Sequence, residues 1–330
     1  MTCAGCGCIC DDGRTCALGD AWFALGERPP LARIEGREAS LDEAVDAAAA
    51  ILRRARAPLV YGLGGTSIEA QRRAVALAEA IGAVVDAGAS AGAFQAVGSS
   101  TATFAEIRDR AELVVVWRAD PVITHPRLLE RLRVKSLVVV DSTRTATAEQ
   151  GEFVEVRDDF EALWELRAGT TPLAKRLRGA RHLAFIHGAL DELTALALFE
   201  LVRDLARDRH AVTLALRAGN ARGAEDVLAW QTGFPGPVSF ARGYPREAHG
   251  YEADAVLAVA AGPPPTDAPI VVVDPRASVT ANVVIAPAAD GIEVAGTVHR
   301  MDGVPLPLCA TRAAGRPSVE NVLAMIGARC

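Results

Sequence analysis

The fold class follows from residues 58–86, which read PLVYGLGGTSIEAQRRAVALAEAIGAVVD. Pro58–Tyr61 predicts a short buried strand, and a glycine-rich turn leads from it into a helix over Ile68–Ile81, where apolar residues repeat at helical spacing. Gly82 ends this helix, and Ala83–Asp86 predicts the next strand. A strand, a helix and a second strand form a βαβ unit, which requires a parallel sheet. The sequence therefore predicts an α/β protein.

The chain on both sides of this unit continues the α/β pattern. Ser40 predicts a helix start as its N-cap, Glu43 completes a capping box, and the helix continues to Arg54. Short runs rich in valine, leucine and isoleucine predict further buried strands. The predicted strands are Leu59–Tyr61, Leu113–Val116, Leu137–Val140, Ala255–Val259 and Ile270–Val273.

The second half of the chain repeats a pattern of the first half. The run Val138–Asp141, with the arginine and the Thr-Ala pair that follow it, matches the run Val271–Asp274 with the same companions. We therefore expect two related, Rossmann-like parallel-sheet lobes that divide near Thr170. The expected domains are a cysteine-rich N-terminal module with its connector over residues 1–38, a first α/β lobe over 39–170, a second α/β lobe over 171–290, and a C-terminal extended segment and helix over 291–330.

The bulk composition excludes several classes of function. The 330 residues carry a formal net charge of −6, and 50% of them are hydrophobic. An acidic chain lacks the basic surface of a nucleic-acid-binding protein, and 5% aromatic residues provide no stacking platform for single strands. No apolar run reaches the ~18–20 residues of a membrane span, and no secretory signal is visible. The composition predicts a globular, cytoplasmic protein that binds neither nucleic acid nor membrane.

The cysteines are the most chemically specific feature of the sequence. Five of the seven lie between Cys3 and Cys16. In a cytosolic protein such clustering indicates metal chemistry rather than disulfides. Cys3, Cys6 and Cys10 have the spacing C-x2-C-x3-C, and Cys16 supplies a fourth thiolate. Four thiolates on a glycine-containing loop can surround an iron–sulfur cluster or a zinc ion, and reduced thiols without a ligand are the alternative.

The glycine-rich turn after the first strand is the nearest match to a dinucleotide-binding fingerprint. Gly62, Gly64 and Gly65 precede the helix, and Asp86 stands at the end of the next strand. The third glycine of the G-x-G-x-x-G pattern would fall at Ser67. Glycines in tight turns of α/β proteins also occur without any ligand, so packing is the alternative to nucleotide binding.

Several basic segments follow predicted strands. The segment His125-Pro126-Arg127 could hold an anion through its arginine or anchor a loop, and Arg217–Asn220 and Arg242–Arg246 could contact an acidic ligand or partner. Arginine-rich loops of this kind are also commonly solvated or salt-bridged. The other histidines have no metal-ligand spacing and are interpreted as structural: His182, His187, His210, His249 and His299. No nucleophile elbow and no P-loop occurs, so a hydrolase or NTPase mechanism has no visible residues.

Taken together, several stretches resemble one family, the B component of formylmethanofuran dehydrogenase. The likeness covers nearly the whole chain, in order. It is carried by Cys3–Asp12, Ala119–Pro121, His125–Arg127, Arg217–Asn220, Arg242–Arg246 and Gly291–Gly303. The resemblance implies the molybdopterin-oxidoreductase architecture, a tungsten or molybdenum bis-pterin site with a cysteine or selenocysteine ligand, and a [4Fe-4S] site near the N-terminus. On this resemblance, Cys3, Cys6, Cys10 and Cys16 match the cluster ligands in order.

The chain departs from the family pattern where the metal ligand would lie. The family's metal-ligating cysteine belongs to a segment resembling Ala87–Gln95, but no cysteine occurs here between Cys16 and Cys309. Ser90 would be a harder and less usual ligand than a thiolate. The cysteine segment is also compressed, because the family's hairpin before the fourth cysteine is missing. We therefore expect no tungsten or molybdenum pterin.

A shortened B component without redox chemistry resembles the one in the formyltransferase/hydrolase complex of methylotrophic bacteria. That complex moves a formyl group from tetrahydromethanopterin to a methanofuran-like carrier and hydrolyses it to formate, with the catalytic sites on other subunits. The resemblance implies a non-catalytic, structural subunit in one-carbon metabolism from formaldehyde to formate, with the other subunits as partners. The alternatives are a catalytic B component of a tungsten or molybdenum formylmethanofuran dehydrogenase and a nucleotide-binding α/β protein.

Overall fold

The structure is a computed structural model that describes residues 1–26, 28–88, 92–277 and 279–330. The helices are α1 (Ala17–Ala24), α2 (Leu41–Arg54), α3 (Ile68–Ile81), α4 (Gly92–Val97), α5 (Phe104–Arg110), α6 (Pro121–Thr124), α7 (Leu128–Leu132), α8 (Asp159–Ala168), α9 (Pro172–Gly179), α10 (Glu192–Leu205), α11 (Ala221–Thr232) and α12 (Val319–Gly327), with a 3-10 turn at Thr147–Gln150. The strands are β1 (Ala32–Ile34), β2 (Arg37–Glu38), β3 (Pro58–Gly62), β4 (Val84–Asp86), β5 (Leu113–Trp117), β6 (Leu137–Asp141), β7 (Glu152–Glu155), β8 (His182–His187), β9 (His210–Ala215), β10 (Val238–Ser239), β11 (Arg246–Glu247), β12 (Ala255–Val259), β13 (Ile270–Val273), β14 (Val283–Ile285), β15 (Gly296–His299) and β16 (Pro305–Leu308).

The chain divides into two units, each built from more than one segment. The first unit comprises Met1–Ala89, Ala218–Arg300 and Pro305–Cys330, and the second comprises Ser90–Arg217 and Met301–Val304. This differs from the predicted succession of lobes, because the expected boundary near residue 170 falls inside the second unit. The physical reason is that β3, from the first third of the chain, pairs with β12, so the opening βαβ unit and the C-terminal strands share one sheet.

The first unit contains a nine-stranded sheet with a parallel centre and antiparallel edges. Its strand order is β11-β10-β4-β3-β12-β13-β14-β1-β2. The five central strands from β4 to β14 pair in parallel, whereas β10 and β1 pair antiparallel with the outermost of these five. In the C-terminal segment that the sequence predicts to be extended, β15 and β16 pair as an antiparallel hairpin. One core of mainly aliphatic side chains packs α2, α3, α11 and α12 onto the sheet.

The second unit contains a five-stranded sheet in the order β9-β8-β5-β6-β7, and every neighbouring pair is parallel. Its core combines the strands with α8, α9 and α10 and contains the fully buried side chains of Trp117 and Phe185. The mixed α/β class with parallel sheets is therefore confirmed, and all five predicted strands lie in these two sheets.

The two parallel sheets end in the same backbone arrangement. In the first unit Val259 of β12 pairs with Gly62 of β3, and the next residue, Ala260, has a left-handed backbone with φ of 47°. In the second unit Trp117 of β5 pairs with His187 of β8, and the next residue, Arg118, has φ of 49°. The two sheets thus share this backbone conformation directly after β12 and directly after β5.

Local sequence signals explain several element boundaries. The capping box of Ser40 and Glu43 is present at the start of α2, with both hydrogen bonds formed. Helix α3 begins after the N-cap Ser67 and ends at Gly82, whose left-handed backbone (φ of 69°) terminates it as predicted. None of the helices that the structure describes combines the length and the apolar character needed to cross a membrane.

Candidate functional site

The N-terminal cysteines lie on a tight loop closed by backbone hydrogen bonds. Cys3 and Cys10 face each other as an antiparallel bridge, and the Cys3 N–H donates to the Cys10 carbonyl at 2.8 Å. The N–H of Ile9 donates to the Cys6 carbonyl at 3.2 Å, which closes the turn between them. The thiols of Cys3 and Cys10 are buried, and those of Cys6 and Cys16 are half-buried.

The other three predicted metal ligands act on the pKa of Cys3. Burial raises the pKa of the Cys3 thiol to about 11; the Gly5 N–H opposes this shift, and the charges of Cys10, Cys6 and Cys16 add to it. The Gly5 N–H donates to the Cys3 sulfur at 3.4 Å, the kind of contact that stabilises a thiolate. Cys6, Cys10 and Cys16 therefore lie near enough to Cys3 to disfavour its thiolate form.

The glycine-rich turn after β3 is filled by the backbone of its own chain. A Cβ on Gly65 would lie 2.4 Å from the Ala260 carbonyl oxygen, and a Cβ on Gly62 would lie 2.3 Å from the Cβ of Ala261. The acidic residue of the suspected fingerprint, Asp86, accepts hydrogen bonds from the Gly88 N–H and the Tyr251 hydroxyl. Close packing of neighbouring chain segments therefore explains these glycines without a nucleotide.

A buried polar network joins this turn to the C-terminal part of the first unit. Asp290 is 8% exposed and accepts hydrogen bonds from the Thr66 hydroxyl at 2.5 Å and from the Ser67 N–H at 2.8 Å. Burial raises the pKa of Asp290, against the opposing effect of these bonds. Asn220 donates to the Thr66 carbonyl at 2.8 Å and accepts from the His299 N–H at 2.8 Å. Sequence reasoning missed Asp290, although its place directly before a glycine was a signal for a turn.

The second unit contains two buried histidines, His187 at the end of β8 and His125 directly after α6. The His125 Nε2 is 3.0 Å from the Arg217 carbonyl oxygen, and the His187 Nδ1 is 2.9 Å from that of Gly188. Burial lowers the pKa of His125, and it lowers the pKa of His187 to about 4. Both rings are therefore neutral at pH 7. Arg127 is also buried, with Glu130 at 3.6 Å.

The other predicted segments are placed separately. Asp120 accepts hydrogen bonds from the N–H groups of Ala146 and Thr147, both at 3.0 Å, and so anchors the 3-10 turn. The segment Arg242–Arg246 leads from the loop after β10 into the first residue of β11, with Tyr244 52% exposed. The remaining histidines contact structural neighbours: His182 stacks on His210, His210 meets Glu106, His249 meets Glu247, and His299 meets Asp226 and Trp230.

Comparisons with known proteins identify what this arrangement is similar to. No protein-family model matches the chain. The B component of the tungsten-containing formylmethanofuran dehydrogenase 2 of Methanocaldococcus jannaschii is 29% identical over 401 residues, covering 93% of this chain and 92% of the archaeal protein. The protein of the same name from Methanococcus maripaludis is 29% identical over 402 residues, with the same coverage. The chain resembles the B component of formylmethanofuran dehydrogenase.

A bacterial relative and a solved structure extend the likeness. The B component of the formyltransferase/hydrolase complex of Methylorubrum extorquens is 29% identical over 277 residues, covering 70% of this chain and 75% of that protein. The fold matches a chain in the crystal structure of that organism's formyltransferase/hydrolase complex, solved with methylofuran, with a TM-score of 0.76, 26% identity, and coverage of 90% of this chain and 98% of that one. The predicted resemblance is confirmed.

The archaeal proteins are longer than this chain within the matched region. Their alignments run over 401 and 402 residues, whereas the chain has 330 residues in total. The matched region of this chain is therefore shorter than the alignments with the archaeal proteins. Ser90, the only potential ligand in the segment that resembles the family's metal-binding loop, lies outside the residues that the structure describes.

The four cysteines have the donor atoms that an iron–sulfur cluster needs, but their placement in the described part of the chain does not form a metal-binding group. Four thiols are the donor set that such a cluster requires. However, across residues 1–26, 28–88, 92–277 and 279–330, no group of three or more His, Cys, Asp or Glu side chains is placed to hold a metal ion. A Cβ on Gly19 would lie 3.1 Å from the Cys3 sulfur, so the chain packs closely against this thiol. The four thiols thus match a cluster in donor type, while no metal-binding group is formed among the described residues.

Proposed function

We propose that this chain is a non-catalytic, structural subunit of a formyltransferase/hydrolase complex that handles formyl groups on a methanofuran-like carrier. The similarity to the B components of both enzymes supports the family, and the sequence supports the structural role. The observation that carries the proposal is that no cysteine occurs between Cys16 and Cys309. Tungsten or molybdenum in this family takes a soft thiolate or selenolate ligand, and the chain offers none in the corresponding segment.

The family-matching residues also support a scaffold. Asp120, His125 and Asn220 direct their polar atoms to backbone groups of their own unit, where they hold a turn, a loop and the glycine-rich segment in place. Polar side chains used in this way stabilise a fold, because buried backbone groups need partners. The run of five parallel strands in each unit further supports the molybdopterin-oxidoreductase type of architecture.

On this proposal, the partners of the chain are the other subunits of the complex and a carrier bound by the complex as a whole. Its location is the cytoplasm. The solved relative is a complex with methylofuran, and this supports an equivalent assembly for the present chain. The chain would contribute surfaces that position the catalytic subunits rather than residues that react. In this role it takes part in one-carbon metabolism, from formaldehyde to formate, only through the assembly.

A [4Fe-4S] cluster on Cys3, Cys6, Cys10 and Cys16 is a separate proposal, supported by the matching donor set. These thiolates would hold the cluster, and a cluster in this position supplies electron transfer. Iron and acid-labile sulfide should be measured in the anaerobically purified complex and in a Cys3→Ser variant. About four irons per chain that disappear in the variant would support the cluster, and their absence from the native complex would refute it.

The experiment that tests the structural role compares the isolated chain with the assembled complex. We expect the purified chain neither to hydrolyse nor to oxidise a formyl carrier. We also expect that the catalytic subunits do not assemble when this chain is omitted. Turnover by the isolated chain would contradict the proposal. The second candidate, a catalytic tungsten or molybdenum subunit, is favoured by the 93% coverage by the tungsten-containing relatives, and it predicts dye-linked oxidation of the formyl carrier.

A further inference from the structure

Helix α8 of the second unit carries large apolar side chains on its exposed side as well as on its buried side. Leu163 and Leu166 are buried in the core of the unit. On the outer side Phe160 is 57% exposed and Trp164 is 64% exposed. A helix on the surface of a soluble protein normally presents polar residues on its outer side. The outer aromatic pair therefore has no explanation in the packing of this unit.

Phe160 and Trp164 form one continuous surface, which we call the aromatic face. Residues four positions apart are neighbours on a helix surface, so the two side chains share one side of α8. Each large aromatic side chain buries about 150–250 Å² when it is fully covered. Tryptophan is also among the residue types that carry most of the binding energy at protein interfaces.

The helix that presents the aromatic face is fixed at both ends. At its start the Arg118 Nε contacts both carboxylate oxygens of Asp159, at 2.8 and 3.0 Å, and the Trp117 Nε1 donates to Asp159 at 3.0 Å. Near its end Arg167 pairs with Glu200 and Asp204 of α10, both at 2.5 Å. A surface that is already held in place loses little conformational entropy when a partner binds.

The charges beside the aromatic face indicate the chemistry of the partner. Glu161 and Glu165 are exposed next to Phe160 and Trp164, and neither forms an ion pair within the described part of the chain. A second copy of the chain on the same face would oppose carboxylate to carboxylate, which is unfavourable. An anionic lipid surface would be repelled in the same way. A protein surface with an apolar cleft and surrounding lysine or arginine side chains complements the aromatic face and the two carboxylates.

We propose that Phe160 and Trp164 anchor this chain to a different protein subunit, whose apolar cleft is rimmed by basic side chains that meet Glu161 and Glu165. This inference rests on the proposed function, since it names the surface through which the structural subunit joins its complex. The aromatic rings supply the buried contact, and the two carboxylates set the orientation and the salt dependence of binding.

The test uses the complex assembled from this chain and its co-expressed partner subunits. The double variant Phe160→Ser/Trp164→Ser should weaken assembly at least about 30-fold in Kd, since loss of such an anchor costs about 2 kcal/mol or more. The variant Glu161→Lys/Glu165→Lys should weaken assembly less and reverse its dependence on salt. Ile123→Ser is the matched control, because Ile123 is 62% exposed in the same unit but lies outside the aromatic face, and its Kd should not change.

Three results would overturn the proposal: an unchanged Kd for the folded double variant, a self-dimer of the isolated chain that Trp164→Ser abolishes, or vesicle binding that the same variant abolishes. Hydroxyl-radical footprinting keeps the test decisive if the double variant does not fold. Trp164 of the native chain should be labelled in isolation and protected in the complex, and equal labelling would contradict docking. Assembly affinity is measured without turnover or metal content, so its failure is distinguishable from that of the proposed function.

Discussion

The ends of the two parallel sheets can be compared residue by residue. After β12 the left-handed residue is Ala260, and after β5 it is Arg118. In each case its carbonyl oxygen approaches a glycine: a Cβ would lie 2.4 Å from it at Gly65 and 2.3 Å from it at Gly188. The backbone arrangement is thus shared. The side chains differ, because alanine offers only a methyl group, whereas the Arg118 guanidinium binds Asp159 and Asp141.

The difference shows how the two units use the same frame. In the first unit, small residues and the hydrogen bonds of Asp290 lie at the end of the sheet. In the second unit, Arg118 and the buried His187 lie there, and a second buried histidine, His125, directly follows α6. The hydrogen bonds of Asp290, His125 and His187 each join residues of one unit. The proposed structural role predicts such contacts, since they would hold in place the surfaces that bind other subunits.

The largest expected difference between the two units is in how far acid lowers their stability. The pKa of His187 is about 4 in the folded state, below its ordinary 6.5, because the ring is buried. The unfolded chain therefore binds this proton first, and the stability present above about pH 6.5 is lost as the pH falls towards 4. A shift of this size corresponds to about 3 kcal/mol. Hydrogen exchange in peptides from β8 and β9 should accelerate over this range, and peptides from β3 and β4 should be less affected.

The histidine responsible is tested by substitution. His187→Gln should flatten the dependence of the second unit's stability on pH between about 6.5 and 4, because the titrating group is removed. His249→Gln is the control, since His249 is exposed and its loss should leave the slope unchanged. Equal acceleration of exchange in both units, or an unchanged slope in His187→Gln, would contradict this account.

The glycines test whether the shared backbone arrangement is needed in both units. Gly65→Ala and Gly188→Ala should each lower the free energy of unfolding by about 1–3 kcal/mol, because the new methyl group collides with a carbonyl oxygen. Gly179→Ala, in a helix and with no atom within 4 Å of the new Cβ, should have no such cost. The measurement is urea-induced unfolding of the three variants. A cost at only one of the two sites would show that the sheet ends are not equivalent.

Arg118 tests the side chain that distinguishes the second unit. Arg118→Ala should cost about 1.5 kcal/mol of unfolding free energy, since hydrogen bonds to charged groups contribute on this scale and Asp159 and Asp141 lose a partner. Ala260→Ser, at the matched position of the first unit, removes no ion pair and is the control. If thermal unfolding shows equal losses for both variants, the backbone rather than the guanidinium is responsible.

We expect the smallest change in stability from substitution of Asp290. Its pH dependence should have the opposite sign to that of His187. Burial raises its pKa, so its contribution to stability is full below the unfolded pKa and is lost as the pH rises through the folded pKa. Asp290→Asn should therefore be at least as stable as the native chain at pH 7, and the difference should vanish in acid. Chemical unfolding at both pH values measures this, and destabilisation at pH 7 would show that the carboxylate is needed.

The sequence predicted the elements of the fold better than their assembly. Helix α3 and strands β12 and β13 have the predicted bounds, because hydrophobic periodicity and capping are local signals. The division into units differed, since β3 pairs with β12, which lies far from it along the chain, and such a pairing leaves no local trace. Long-range strand pairing is determined by the tertiary fold.

The candidate site shows the same limit. The spacing of Cys3, Cys6, Cys10 and Cys16 predicted a shared metal site, and this stays a prediction. The other three cysteines act on the pKa of Cys3, but no metal-binding group is formed among the described residues. The spacing alone does not determine the distances between sulfur atoms, which depend on how the loop packs against Gly19 and Gly5. Asp290 belongs to no motif, and it became visible only through its contacts.

The central claim is that the chain is a scaffold without tungsten or molybdenum chemistry. The most direct test is elemental analysis of the intact, anaerobically purified complex, with dye-linked oxidation of a formyl carrier measured on the same sample. The account predicts far less than one tungsten or molybdenum per copy of this chain, together with formyl transfer and hydrolysis but no dye reduction. One tungsten or molybdenum per chain with dye reduction would contradict it.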